Sequence, residues 1–155
     1  MSSARAQANH RLYLARILLA SWRDALDRQE LPAATLAQAF DEAVREHLLA
    51  AYGWFLLEIT RPEPPPAAPP RGCAELPPTT VGKARPGEIR ELAQLESGGW
   101  LRPLLAGEAS EISSPRSAAN LAVPAPAAAE HQQLAQLADR LESLFDRMGT
   151  FLDEY

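Results

Sequence analysis

A chain of 155 residues with 46% hydrophobic residues can build one domain with its own core, although 14 prolines shorten the part able to fold. With 15 basic against 20 acidic residues and a net charge of −5, it is a poor candidate for sequence-independent nucleic-acid binding, since that affinity comes largely from clustered Lys and Arg. A single cysteine, Cys73, excludes an internal disulfide framework, and the longest apolar run, Leu48 to Leu57, is too short for a membrane span of ~20 residues.

The N-terminus is polar and contains arginine, and Arg16 and Arg23 interrupt the apolar cluster that follows, which is not the pattern of a signal peptide. Together with the lone cysteine this gives a cytoplasmic expectation. From about Arg5 to Gln29, Leu12, Ala15, Leu19, Trp22 and Leu26 recur at steps of three and four, which predicts one amphipathic helix. Leu31-Pro32 ends it, because proline lacks the amide hydrogen and disfavours helix at the residue before it. The break is short, so the chain turns back antiparallel. A second helix is predicted from about Ala33 to Ile59, with Leu36, Phe40, Ala43 or Val44, His47, Ala51, Trp54 and Glu58 along one side. Its second half is apolar almost all round, so elements beyond the first helix must cover it. If the two helices pair about Leu31, facing positions sum to about 62, which sets Trp22 against Phe40 and His47 near Ala15 and Arg16.

Thr60-Arg61-Pro62 closes the second helix, and nine of the 14 prolines fall between Pro62 and Pro86. Residues 62–87 are read as a proline-rich surface linker, since such a segment favours extended conformations and offers little to a core. A third helix follows Pro86-Gly87 with Ile89, Leu92 and Leu95 on its apolar edge, and Gly98-Gly99 is expected to stop it through the left-handed conformation open to glycine. Trp100 to Leu105 reads as a short helical turn that plugs an aromatic into the bundle. Residues 107–129, rich in Ser, Ala and Pro, read as a second irregular connection. The last helix has Leu134, Leu137, Leu141, Leu144, Met148, Phe151 and Tyr155 at alternating steps, and Ala138, Phe145 and Leu152 broaden the face toward bundle packing. The sum is a single all-α domain over residues 1–155, a small bundle of about four helices.

His47 and Glu58 share a face to within about 20°, yet they stand roughly 16 Å apart along the helix axis, too far to share a proton or a metal. Small neighbours (Ala43, Val44, Ala50, Ala51) surround His47, so it reads first as a histidine at the core boundary with one satisfied ring nitrogen. For Glu58, pairing with Arg61 or an N-terminal arginine is the plain expectation. No Glu-x-x-His pair, His-Glu-x-x-His motif, paired-cysteine motif, nucleophile elbow or glycine-rich phosphate loop occurs, so no catalytic, metal or cofactor residues are assigned.

The stretches NHRLYLARILLASW at Asn9 to Trp22, Glu42-Ala43, His47-Leu48, Glu58-Ile59 and Trp100 to Leu105 resemble an uncharacterised bacterial family of small proteins, a domain of unknown function. The resemblance covers about half the chain by these motifs, brings no activity with it, and implies that Asn9, Tyr13, His47 and Glu58 match recurring positions. Tyr13, Arg16, His47 and Glu58 therefore form the candidate polar cluster. The leading functional expectation is a non-enzymatic interaction or adaptor protein with a protein partner, or a homodimer through the C-terminal helix. A small-molecule binding or catalytic bundle around His47 is the alternative, and a surface-active protein lying on a membrane is a third reading.

Overall fold

Ser3 opens the first helix, α1 (Ala4–Arg28), by accepting a hydrogen bond from the Ala6 amide at 3.1 Å. Gln29 closes it in the left-handed conformation (φ 54°), and Pro32 precedes α2 (Ala33–Thr60), which ends at Arg61 with φ 43° just before Pro62. Both predicted helices are thus present to within a residue or so. In the computed structural model, which describes residues 3–79, 82, 84–106 and 126–153, they form an antiparallel hairpin. The predicted register holds at Trp22, whose ring stacks on Phe40 with centroids 5.9 Å apart and planes 6° from parallel.

The remaining long helices are α3 (Gly87–Gly98) and, after the short α4 (Arg102–Leu105), α5 (Pro126–Asp153). Among the described residues there is no strand, so the chain is an all-α bundle. The last helix starts at Pro126, earlier than the irregular connection 107–129 predicted, because proline suits the first helical position, where no amide partner is needed. The expectation of an irregular connection over 107–125, and those for the Phe151, Leu152 and Tyr155 side chains, lie outside the described residues.

Leu134, Leu137, Ala138, Leu141, Leu144, Phe145 and Met148 of α5 are all buried, and Phe145 stacks on Phe55 of α2 at 4.3 Å. His131 meets Trp22 edge-on at 5.1 Å and donates from Nε2 to the Leu19 carbonyl at 2.9 Å. The described part of the wide apolar face that suggested self-association packs against α1 and α2, and every exposed residue of α5 from Gln132 to Thr150 is polar or charged.

The helix α3 stops at the glycine pair, but not by a left-handed residue: Gly99 is extended, at φ −104° and ψ −163°. Glycine is needed there for room, since a Cβ would lie 2.8 Å from the Leu95 Cα. Trp100 is half-buried, with the Arg140 guanidinium 5.8 Å from its ring centroid, as a plug with a cation over it would be. Arg45, paired with Asp41, also donates to the Pro103 carbonyl at 3.4 Å and ties α4 to α2.

The segment after α2 departs most from expectation. Pro70, Gly72, Cys73 and Leu76 are buried, so the described part of residues 62–87 is a strap laid over α2 and not a free linker. Gly53, in the middle of α2, makes this approach possible, because a Cβ there would sit 2.2 Å from the Pro70 carbonyl oxygen and 2.8 Å from the Pro69 Cβ. The strap covers one side of the helix half that is apolar all round. In that half Ala51, Tyr52, Phe55, Leu56, Leu57 and Ile59 are buried.

Candidate functional site

The most concentrated polar arrangement lies where α2, α3 and the strap meet. Tyr52 projects from α2 without solvent exposure and donates its hydroxyl to Glu96 Oε1 of α3 at 2.5 Å. The same oxygen accepts the Cys73 amide at 2.9 Å, and the 3-10 turn Cys73–Glu75 begins there. The Cys73 thiol lies 3.8 Å from the Tyr52 oxygen and 3.9 Å from the Ile89 carbonyl. Burial, and after it the Glu96 carboxylate, pushes the thiol up to about 11 and the Tyr52 phenol far above its ordinary 10.0. Both groups are protonated at neutral pH. A thiol that is sealed and protonated is neither a nucleophile nor a metal ligand, so the cluster works as a hydrogen-bonded staple between strap and helices.

A second staple holds the strap from outside. Arg71 binds Glu46 of α2 with two hydrogen bonds of 3.1 and 2.9 Å, and its own amide donates to Glu75 at 2.9 Å. The Arg71 bond is the main reason the Glu46 carboxyl sits below its ordinary range. Beside it, Arg11 of α1 donates to His47 Nδ1 at 2.9 Å. Since arginine cannot accept, His47 carries its proton on Nε2 and is neutral in this bond. Burial, then the charges of Arg11 and His10, hold its pKa below 6.5.

The four residues of the predicted polar cluster do not converge. His47 pairs with Arg11, not with Arg16 as the hairpin register suggested. Arg16 instead crosses to α5, where it bonds Asp139 at 2.9 Å and, more closely, Glu142. Five residues separate the two arginines, which is about 140° around the helix, so one faces α2 and the other α5. Glu58 pairs with Arg61 at 3.5 Å, the plain expectation for it. Tyr13 is 62% exposed. The structure does bring Tyr13 and Arg16 together with Asn9 along a groove of about 270 Å³ between α1 and α5, whose far wall is Phe145, Glu142 and Asp146. Sequence reasoning missed Tyr52, Glu96 and the strap contacts of Cys73. The available signal was Gly53, a helix-weakening residue in the centre of an apolar helix.

Among the described residues, no three His, Cys, Asp or Glu side chains stand where they could hold a metal ion, and no helix is long and apolar enough to cross a membrane. Residues 1–154 match the model of the Family of unknown function (DUF6586), and the chain belongs to that family. The match extends the resemblance carried by the helical motifs from about half of the chain to nearly all of it. No curated protein matches the chain, and no solved structure does.

Proposed function

We propose that this family member is a non-enzymatic interaction protein of the cytoplasm, and that the outer face of α1 meets a protein partner. The observation that carries the reading is the exposure of Tyr13 (62%) and Ile17 (44%), one helical turn apart on the side of α1 turned away from α2. Exposed aromatic and branched side chains at that spacing are the anchors by which helical faces bind, and tyrosine is enriched at binding hot spots. The groups that could do chemistry are spent elsewhere: Cys73 and Tyr52 in the buried staple, His47 on Arg11, Glu58 on Arg61. A buried, unpaired thiol also suits a reducing compartment.

The test is a photo-crosslinking residue placed at Tyr13 or Ile17, with Arg90 on the exposed face of α3 as the control position. A protein adduct that forms in cells from both α1 positions, and not from position 90, supports the reading. Identical adducts from all three positions, or none from either α1 position, would overturn it.

A further inference from the structure

The charge around the exposed face of α1 selects among protein partners. The groove between α1 and α5 has an apolar lining in the buried Leu12 and Phe145, and the exposed Tyr13 lines it too. At about 270 Å³ it lies below the ~300–1,000 Å³ of small-ligand pockets, which leaves room for one anchoring side chain. On α5, Asp139 just beyond the groove, then Glu142 and Asp146 that line it, follow one another at steps of three and four, and all three are exposed. Arg16 engages the first two, while no ion pair with Asp146 occurs among the described residues. Arg5 lies over Gly149 at one end of the wall. On α1, Asp24 lies seven residues after Ile17 and so continues the exposed stripe. With Arg16 paired to Asp139 and Glu142, and Arg23 of α1 paired to Asp27, Asp146 at the groove and Asp24 on the stripe are carboxylates with no ion pair among the described residues.

We infer that the α1/α5 groove receives a basic amphipathic helical segment of a partner protein, with an apolar side chain seated beside Tyr13 and Phe145 and Lys or Arg side chains toward Asp24 and Asp146. This rests on the interaction reading above and adds the chemistry of the partner. The charge pattern is complementary to that segment and repels both an acidic peptide and an anionic membrane surface. A second copy of the chain would set Asp24 and Asp146 against the same carboxylates if it docked by this face, and the described exposed face of its α5 offers no apolar surface.

The experiment uses the full chain and two synthetic helical peptides that share one leucine pattern, one with lysines on its polar face and the other with glutamates, followed by amide chemical shifts. The lysine peptide is expected to shift the signals of Asn9, Tyr13, Ile17 and Asp146. The D24K/D146K variant, which removes no described ion pair, should weaken it by about tenfold or more, whereas E30K/E63K, with the same change in net charge, should weaken it by about threefold or less. Tyr13→Ser serves as a second variant, since an exposed residue can change without unfolding the helix, and it should also weaken binding. Equal weakening by the two charge variants, or shifts spread over the whole surface, overturns the assignment. Equal binding of the glutamate peptide at Tyr13 overturns the basic partner while leaving the interaction reading intact. Flotation with anionic vesicles replaces the partner by a membrane and overturns it as well. Loss of the crosslinks from α1 would count against the interaction reading itself.

Discussion

Replacing Gly53 by alanine tests whether the strap is part of the fold. In a helix whose surroundings have room, glycine to alanine stabilises by about 0.5–1 kcal/mol, because the unfolded glycine has more conformational freedom to lose. At Gly53 the new methyl would lie 2.2 Å from the Pro70 carbonyl oxygen and 2.8 Å from the Pro69 Cβ, so backbone must move. Overpacking of this kind costs about 1–3 kcal/mol. If the strap lifts instead, it strains the Cys73 amide bond to Glu96, and a hydrogen bond to a charged group is worth about 1.5–3 kcal/mol. After the helical gain is subtracted, the net expectation for G53A is a loss of about 1–2 kcal/mol. The matched control is G98A at the end of α3, where the methyl would meet nothing within 4 Å. This variant should be neutral or more stable by up to about 1 kcal/mol. Urea unfolding followed by circular dichroism gives both values, and the rate at which a thiol reagent labels native Cys73 reports strap opening. Expected is faster labelling in G53A alone. A G53A protein as stable as the parent, with Cys73 equally protected, would refute the reasoning.

The Y52F variant removes the hydroxyl that Glu96 accepts and should cost about 1.5–3 kcal/mol in urea unfolding, with faster Cys73 labelling. An unchanged midpoint would mean that the phenol bond is not part of what holds the strap. His47 predicts a pH dependence. Its folded pKa is held below 6.5, so between the folded value and 6.5 the unfolded chain binds more protons. The contribution is complete above 6.5 and is lost as pH falls through the folded value, where a protonated His47 repels Arg11. Urea midpoints measured down from neutral pH should fall, and H47Q should flatten that part of the curve. Equal slopes in the two proteins would remove His47 as the cause.

The helix boundaries were legible because punctuation and periodicity agree: Pro32, Arg61-Pro62 and Pro86-Gly87 stand where the apolar pattern breaks. The pattern also announced which residues of α5 are buried, but not against what, and the described part of a face wide enough for a partner packs on the chain's own hairpin. The candidate site was less legible. Facing positions in a hairpin locate backbones to within about a turn, and an arginine side chain spans that distance, so His47 found Arg11 where the register pointed to Arg16. Glu96 carried no signal at all. It is one of several glutamates on a polar helix, and only the fold sets it beside Tyr52 and Cys73.

A run of prolines can serve as a layer of this core for the reason that made it look like a linker. Packing an irregular segment over an apolar helix normally strands amide donors away from water, each of which needs an acceptor. Proline has no amide hydrogen, so Pro69 and Pro70 can press onto Gly53 and bring no donor with them. Further along the strap, the amide of the buried Cys73 meets the Glu96 carboxylate that also receives Tyr52. One glutamate thus satisfies the strap and the helix beneath it together. The apolarity of α2 on all sides then follows from the topology. Of its surroundings, α1, α5 and the α3–α4 pair cover part, and the strap covers the side around Gly53 and Tyr52.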